Sequence, residues 1–271
     1  MKAEPIVSRN LSFKTLPLGQ SSPYILLEVH LQSPDLLTFI TPGQFFMLYP
    51  SDNESGNTAF KEFFLPRPFT VFDVRGSSIL FLVKVRGRFT QALKEGKVCR
   101  LNLVGPLGNG WKYSPFKSNL LVGAGSGVAS LLMLASSMHK KPHLLASFTR
   151  KSELSLLEPF RDFVSSMDVA VWEDGRDIFD LLSSREEHFY GRFDTIFVCV
   201  PSAVVSRVID FFRNVGYPLN MIQFSLEAMM GCGFGGCGSC MITVVRNGER
   251  RRVKVCKDGP VFTADEIGRA L

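Results

Sequence analysis

The first hundred residues consist of short apolar runs separated by polar, turn-rich pieces, and none of them keeps the apolar spacing of a long helix. Such a pattern predicts sequential β strands that pair as an antiparallel barrel. One short helix is predicted at 90–95, where Gly96 ends it. The predicted strands are 24–31, 45–49, 68–72, 79–85 and 98–104.

After Gly105 the pattern changes to apolar runs of strand length that alternate with helix-like stretches. This alternation predicts a doubly wound parallel sheet with helices on both of its faces. The predicted strands are 119–122, 143–148, 169–172 and 195–200, and the predicted helices are 130–138, 154–163, 178–182 and 204–213.

Beyond residue 220 the pattern changes a third time. A loop rich in glycine and cysteine precedes two strand-like segments, 242–245 and 251–255, that flank an Asn247-Gly248 turn and predict a hairpin. The fold class is therefore a multidomain β plus α/β protein. The predicted domains are an antiparallel β-barrel over 1–112, a parallel-sheet α/β domain over 113–220 and a small C-terminal domain over 221–271.

Composition supports a folded protein, because 45% of the 271 residues are hydrophobic and 21% are charged. The net charge of +6 is spread along the chain without a basic helix or an RNA-binding signature, which argues against a nucleic-acid partner.

The most apolar stretch, 120–138, is interrupted by Gly123, Gly125 and Gly127, so a strand, turn and helix is expected there and no membrane span. The N-terminus has no apolar core of a signal peptide, and a cytoplasmic location is expected.

Four of the six cysteines lie in the last 40 residues. Cys232, Cys237 and Cys240 form a C-x4-C-x2-C motif, and Cys256 follows after the predicted hairpin. This is the spacing of a plant-type [2Fe-2S] site, in which two irons bridged by two sulfides take four thiolates. The glycines between the cysteines allow backbone amides to approach the sulfurs.

A tetrahedral zinc site is the alternative for four thiolates, but zinc ribbons usually pair two C-x2-C units and this sequence has one. The remaining two cysteines, Cys99 and Cys199, lie in apolar strand patterns, and both are expected to be buried without a ligand role.

Two further segments suit a nucleotide cofactor. Arg67 and Thr70, on one predicted strand, offer a cation for a flavin pyrophosphate and a hydroxyl near the ring, although an arginine at a strand entrance is also a common surface feature. The Gly123-x-Gly125-x-Gly127 turn between a strand and a helix suits a phosphate group and is equally known as a packing turn.

Together these segments resemble the electron-transfer subunit of type B dihydroorotate dehydrogenase, which belongs to the ferredoxin-reductase superfamily. The resemblance covers about residues 5–265. It is carried, in order along the chain, by RPFT at 67–70, GPLGNG at 105–110, GAGSG at 123–127, EDG at 173–175, SLE at 225–227, the cysteine loop and VCKDGPVF at 255–262.

The resemblance implies an FAD-binding barrel, an NAD(P)-binding domain and a C-terminal [2Fe-2S] domain. It also implies that the chain forms a hetero-oligomer with a catalytic flavoprotein subunit and acts in pyrimidine biosynthesis, with NAD(P) as co-substrate. Electrons would pass between the partner, the cluster, FAD and NAD+. The cofactor-binding residues that it implies are Arg67, Pro68, Phe69, Thr70, Leu82, Val83, Lys84, Phe89, Thr90, Gly123, Gly125 and Gly127, and the cluster ligands are Cys232, Cys237, Cys240 and Cys256.

Some positions depart from the family pattern: Phe89 replaces a glycine, Ala124 a glycine, Ser130 a proline and Val200 the glycine of a Cys-Gly-Pro segment. Two alternatives stay open, and the second of them rests on these departures. One is a reductase subunit that serves ferredoxin or a hydrogenase-type complex. The other is a cluster-bearing module that has lost nicotinamide turnover. No acid-base catalytic residue is predicted in any of these cases.

Overall fold

The computed structural model describes residues 5–18, 22–32, 34–51, 63, 65–185, 189 and 191–268. Its first part is built from two four-stranded antiparallel sheets. The strands are β1 (Ile6–Leu11), β2 (Phe13–Pro17), β3 (Tyr24–His30), β4 (Phe45–Pro50), β5 (Arg67–Thr70), β6 (Asp73–Arg75), β7 (Ser78–Lys84) and β8 (Leu101–Leu107). The sheet orders are β1-β8-β4-β5 and β2-β3-β7-β6.

The two sheets enclose one apolar core. Alternate residues of β3 and β7, such as Leu27 and Phe81, point between the sheets and meet Phe46 and Leu48 of β4. The rings of Phe46 and Phe81 meet edge to face with centroids 6.0 Å apart. The predicted antiparallel barrel is confirmed, with β1, β2 and β6 added to the strands that the apolar runs indicated.

A six-stranded sheet forms the second part of the structure. Its parallel strands are β9 (Asn119–Ala124), β10 (His143–Phe148), β11 (Ser166–Val171), β12 (Thr195–Cys199) and β13 (Ile222–Ser225). They lie in the order β11-β10-β9-β12-β13, so that β9 is central and the chain crosses from one side of it to the other. The predicted doubly wound parallel sheet is confirmed.

Helices cover both faces of this sheet. The α-helices in the described part of the chain are α1 (Arg88–Lys94), α2 (Ala129–Ser136), α3 (Ile178–Ser183), α4 (Ser202–Asn214), α5 (Val255–Asp258) and α6 (Ala264–Ile267). Helix α4 buries a stripe at helical spacing, formed by Val205, Val208, Ile209 and Phe212. The helix predicted at 154–163 is a 3-10 segment, Lys151–Phe160, that contains Pro159.

The last part of the chain contains the hairpin of β14 (Met241–Arg246) and β15 (Glu249–Lys254), with Asn247 and Gly248 in left-handed conformations at its turn. Strand β16 (Val261–Thr263) then pairs antiparallel with β13 at the edge of the large sheet. The predicted C-terminal domain, 221–271, therefore includes two strands of that sheet. These strands, β13 and β16, lie on either side of the cysteine loop in the sequence. No helix in the described ranges is long and apolar enough to cross a membrane.

A short segment after β8 joins all three parts. The Asn109 backbone donates to the Gly259 carbonyl at 2.6 Å, and its side chain donates to the Asp258 carbonyl at 2.9 Å. Trp111, two residues later, donates its ring N–H to the Ser130 carbonyl of α2 at 2.9 Å. The segment thus attaches the barrel to both the large sheet and the region that follows Cys256.

The Lys112 backbone completes this segment through Gln223 of β13. Its N–H donates to the Gln223 Oε1 at 2.9 Å, and its carbonyl accepts from the Gln223 Nε2 at 2.5 Å. A buried side-chain amide that pairs with both polar groups of one backbone residue imitates a strand contact. The segment is therefore fixed at both ends.

A second contact between barrel and sheet is ionic. Glu153, which is only 2% exposed, accepts from the Thr149 and Arg150 backbone N–H groups at 3.0 and 2.9 Å. Its other oxygen lies 3.9 Å from the Lys84 ammonium on β7. Burial and the nearby Glu153 carboxylate raise the pKa of Tyr24, whose ring lies 5.3 Å from the same ammonium.

We expect Asn109→Ala to lower the stability of the protein by about 1 kcal/mol, because the side-chain amide donates to the Lys257 and Asp258 carbonyls at 3.4 and 2.9 Å and both lose that donor. The melting temperature of the cofactor-loaded protein should fall by about 2 °C. Asn220→Ala, at an exposed position, is the matched control. Equal melting temperatures for the two variants would contradict the joining role of the Asn109 side chain.

Glu153→Gln should be tolerated far better than Glu153→Ala. The glutamine carbonyl can still accept from the two backbone N–H groups and loses only a long, partly exposed ion pair, which is worth less than about 1 kcal/mol. Alanine leaves both donors without a partner and should cost about 2 kcal/mol. Thermal melting compares the two, with the exposed Glu158→Ala as control; similar losses for glutamine and alanine would refute this account.

Candidate functional site

A cavity of about 670 Å³ lies between the barrel and the large sheet. Its barrel side is formed by β5 and β7, and its other side by the carboxyl ends of β9, β10, β12 and β13. Ligands of open α/β sheets bind at this edge, where the strand order reverses. Seven of the predicted cofactor residues line it, namely Pro68, Phe69, Thr70, Leu82, Lys84, Gly125 and Gly127.

A second cavity of about 340 Å³ adjoins the first, since Arg86 lines both. It contains the predicted residues Arg67, Phe89 and Thr90. The Arg67 guanidinium stacks on the Phe89 ring at 4.5 Å and donates to the Leu65 carbonyl at 2.7 Å. Partial burial lowers the pKa of Arg67 from its ordinary value. The cavity thus presents a fixed cation of the kind that binds phosphate oxygens.

Thr90 shapes the loop of this second cavity. Its hydroxyl accepts from the Arg86 N–H at 2.9 Å and donates to the Gly87 carbonyl at 3.1 Å. These bonds close the turn that opens helix α1. Phe89, where the family has glycine, does not fill the cavity, because its ring is buried against Arg67 and the Phe63 ring.

Two predicted cofactor residues lie outside both cavities. The Val83 side chain is fully buried in the barrel core, on the opposite side of β7 from Leu82 and Lys84. Side chains alternate along a strand, so three consecutive residues cannot all face one cavity. Gly123 lies within β9 and packs against Val128. A Cβ at position 123 would lie 2.8 Å from the nearest carbon of the Val128 side chain.

Gly127 has a structural reason to be glycine. A Cβ at this position would lie 2.1 Å from the Cys199 carbonyl oxygen at the end of β12. The close approach of the turn to β12 keeps the cavity open at that edge, and the Ser130 hydroxyl holds the turn by donating to the Gly127 carbonyl at 3.2 Å.

The departures from the family pattern on the sheet side do not block the cavity. Ser130 bonds the turn, as described, and Ala124 lies on the cavity wall. Val200 is 1% exposed and packs in the core of the sheet, whereas its neighbours Cys199 and Pro201 line the cavity. The bulk of the Val200 side chain, one basis of the alternative without nicotinamide turnover, therefore does not enter the cavity.

Several polar residues of the cavity were not predicted from the sequence. They lie at or just beyond the carboxyl ends of parallel strands, which is the signal that could have found them. They are Ser126, Ser147, Thr149, Ser225 and Glu227.

The two cysteines outside the cluster motif differ from each other. Cys199 is buried as expected, and burial raises its pKa to about 11 against the opposing effect of a hydrogen bond with Ser130. Cys99 is exposed, so its predicted burial was wrong. It lies just before β8, where the apolar run had been extended too far toward the N-terminus.

The four C-terminal cysteines approach one another as two pairs. The sulfurs of Cys240 and Cys256 are 3.1 Å apart and buried. The Cys232 sulfur accepts from the Cys237 N–H at 3.4 Å and from the Gly236 N–H at 3.2 Å, and it also hydrogen-bonds the Cys237 side chain. Among the described residues no three metal-binding side chains converge on the position of a single ion.

This donor set fits a [2Fe-2S] cluster, since each of its two irons takes two thiolates. Hydrogen bonds from Ser239 and then from Cys232 lower the pKa of Cys237 to about 6. Burial, reinforced by Cys240, raises the pKa of Cys256 to about 12. A bound cation offsets the cost of a buried thiolate.

The cysteine loop adjoins the large cavity. Gly233, at φ +85°, lies on Met47 of β4 so closely that a Cβ would come within 2.3 Å of the Met47 side chain. Phe45, two residues earlier on the same face of β4, lines the cavity. Two residues of a strand span about 7 Å. Met230 also lines the cavity, two positions before Cys232.

Comparison with known proteins agrees with this geometry. Residues 227–268 match the model of the iron-sulfur cluster binding domain of dihydroorotate dehydrogenase B. The chain is 34% identical over 230 residues to the electron transfer subunit of dihydroorotate dehydrogenase B (NAD(+)) from Caldanaerobacter subterraneus subsp. tengcongensis, covering 83% of this chain and 86% of the relative. The Bacillus pumilus subunit of the same name is 28% identical over 256 residues, covering 89% and 92%.

Among solved structures, an NADH-dependent reduced ferredoxin-NADP oxidoreductase, described for flavin-based electron bifurcation, superposes with a TM-score of 0.74 at 25% identity, over 96% of this chain and 89% of that one. The FAD apo form of the ferredoxin reductase of carbazole 1,9a-dioxygenase, at 16% identity and a TM-score of 0.56, covers 80% and 65% and shares the fold. With the sequence identity, the matched cluster domain and the paired cysteines in agreement, the chain belongs to the family of dihydroorotate dehydrogenase B electron transfer subunits.

Proposed function

We propose that this chain passes electrons between a catalytic flavoprotein subunit that oxidises dihydroorotate and NAD+, in pyrimidine biosynthesis. The observation that carries the proposal is the short separation between the cavity and the cysteine loop. The cavity is lined by Phe45 of β4, and the loop contacts Met47, two residues further along the same strand. When bound, FAD exchanges electrons in pairs with a nicotinamide and singly with an iron-sulfur cluster.

We assign the binding of FAD to the barrel side of the two cavities. Arg67, fixed by the Phe89 ring and the Leu65 carbonyl, provides a cation for the pyrophosphate. Pro68 to Thr70 and the outward side chains of β7, Leu82 and Lys84, form the wall against which the flavin would lie. Val83 supports that wall from the core.

The sheet side of the cavity would hold the nicotinamide nucleotide. Gly125 and Gly127 leave room for its phosphates at the turn after β9, and the Cys199 and Pro201 backbone closes the wall next to them. Both cofactors would then occupy one cavity, as direct hydride transfer requires. No described residue has to move a proton for this step.

The cysteine loop would hold the [2Fe-2S] cluster, with Cys232 and Cys237 on one iron and Cys240 and Cys256 on the other. The N–H groups of Gly236 and Cys237 that bond the Cys232 sulfur stabilise added negative charge. Phe45 and Met47 exclude water from the space between the loop and the cavity.

Arg67→Gln should weaken FAD binding about tenfold, since a charge-assisted contact to phosphate is worth about 1.5 kcal/mol or more. The FAD dissociation constant of the deflavinated protein can be measured by fluorescence quenching. Arg75→Gln, on an exposed barrel arginine paired with Asp73, is the control. Unchanged affinity in Arg67→Gln would remove Arg67 from the proposed site.

The electron path is tested anaerobically with the cofactor-loaded protein and its purified catalytic subunit. We expect NADH to bleach both flavin and cluster bands of the isolated chain, and dihydroorotate to bleach them only when the catalytic subunit is present. Cys237→Ser should lose the cluster bands and the transfer from dihydroorotate while NADH still bleaches the flavin. Cys99→Ser, at an exposed cysteine outside the loop, should behave like the wild type.

Other outcomes of the same experiment would contradict the proposal. Bands that neither NADH nor NADPH bleaches would favour the module without nicotinamide turnover. Rapid reduction of ferredoxin together with failure to exchange electrons with the dihydroorotate-oxidising subunit would favour the ferredoxin-type reductase, the activity named for a solved structure of similar fold.

A further inference from the structure

The hairpin of β14 and β15 has one buried face and one exposed face. Opposite residues of an antiparallel pair share a face, so Val244 and Val253 face the core. The outer face carries Thr243, opposite Arg252, and further basic residues in the same row. Its members are Met241, Thr243 and Val245 on β14 and Arg250, Arg252 and Lys254 on β15.

Charge is balanced on the inner face and unbalanced on the outer one. Arg246 and Arg251, both on the inner side, pair with Glu266 and Glu249. The outer face has no acidic side chain, and its two arginines, Arg250 and Arg252, are exposed and form no ion pair with a described residue. Neighbouring cations on one face of a sheet repel each other, and the packing of the hairpin does not require cations at these positions.

This basic face continues onto the cysteine loop. The Lys254 ammonium donates to the Gly235 carbonyl between Cys232 and Cys237. The Lys257 side chain passes over the same glycine, where a Cβ would lie 3.2 Å from its Cδ. Two large apolar side chains of the loop region are also uncovered, since Met229 is 84% and Phe234 is 61% exposed.

We propose that the outer face of the hairpin, with Lys257, is a docking surface for an acidic face of the protein that exchanges electrons at the cysteine loop. The proposal rests on the proposed function for the existence of such a partner and adds the surface and the charge by which it is recognised. An apolar centre with a charged rim is the usual anatomy of an interface. The occupant is an acidic protein surface because only anionic groups would neutralise the positive charge of Arg250, Arg252 and Lys254.

Complementary charge acts mainly on the rate of association, which it raises by about 10-fold to 1000-fold at low salt. The cations need not touch the cluster ligands to have this effect. Loss of the charge should therefore slow the encounter with the partner without changing reactions inside this chain.

The test compares two double variants with the same change in net charge. Arg250→Glu with Arg252→Glu reverses the proposed surface, whereas Arg9→Glu with Lys14→Glu reverses two exposed cations on the barrel. Stopped-flow absorbance follows cluster reduction by the dihydroorotate-reduced catalytic subunit from low to high salt. We expect the hairpin variant to lose at least about tenfold in the second-order rate constant at low salt, and to lose most of its salt dependence.

Two controls separate docking from damage. Both double variants should retain the flavin and cluster spectra and should be reduced by NADH at the wild-type rate. A milder pair, Arg250→Gln with Arg252→Gln, should give an intermediate loss in the rate constant, which a misfolded hairpin would not. Equal losses in the hairpin and barrel variants, or a wild-type rate that does not depend on salt, would overturn the proposal.

Failure of the proposed function can be distinguished from failure of the docking surface. If the dihydroorotate-oxidising subunit exchanges no electrons with the wild-type chain, the proposed function fails, and the same variants are then assayed with an acidic [2Fe-2S] ferredoxin as the probe. A tenfold loss with the ferredoxin would uphold the basic docking surface. An unchanged rate with the ferredoxin would overturn it.

Discussion

The segment from Asn109 to Lys112 is the constraint on which the arrangement of the protein depends. Within four residues it bonds the barrel, helix α2, strand β13 and the turn after Cys256. Trp111 also packs edge to face on Phe197 of β12, with ring centroids 5.6 Å apart, so the segment is held by apolar contact as well as by hydrogen bonds. Electron and hydride transfer require short, fixed separations, and a flexible linker between independently folded units would not supply them. Here the connection is itself part of the packed interior.

Two buried polar side chains at the junction are satisfied by backbone groups. Gln223 bonds Lys112 on the joining segment, and Glu153 bonds Thr149 and Arg150 at the start of its own 3-10 segment. Specificity of docking between the barrel and the sheet therefore comes from directional bonds, whereas the apolar cores on either side supply most of the stability. The ion pair between Lys84 and Glu153 is long, and it contributes orientation at the cavity wall more than free energy.

Periodicity and spacing predicted the architecture well. The barrel, the parallel sheet and the hairpin were expected from the apolar runs and the Asn247-Gly248 turn, and the family was expected from the resemblance of the motifs between residues 67 and 262. The exposed strands β1 and β2 were not predicted because their residues lack an apolar stripe. Strands β13 and β16 were assigned to the C-terminal domain and not to the large sheet, because pairing between distant strands leaves no local signal in the sequence. In the site, a motif carried over as three consecutive residues could not show that Val83 faces the core while Leu82 and Lys84 face the cavity. Likewise, only the three-dimensional structure shows that the Val200 side chain points into the core of the sheet and away from the cavity.

Strands β13 and β16 are adjacent and antiparallel, although the whole cysteine loop and its hairpin lie between them in the sequence. Topologically, the iron-sulfur region is a long excursion between two neighbouring strands, and its entry and exit points are already held together by the sheet. Loop-closure entropy grows only slowly with length, so a sheet of this kind tolerates such an excursion at small thermodynamic cost. A one-electron centre can thus be gained, lost or exchanged by a change confined to a single edge connection, while the two-electron chemistry of the cavity keeps its scaffold.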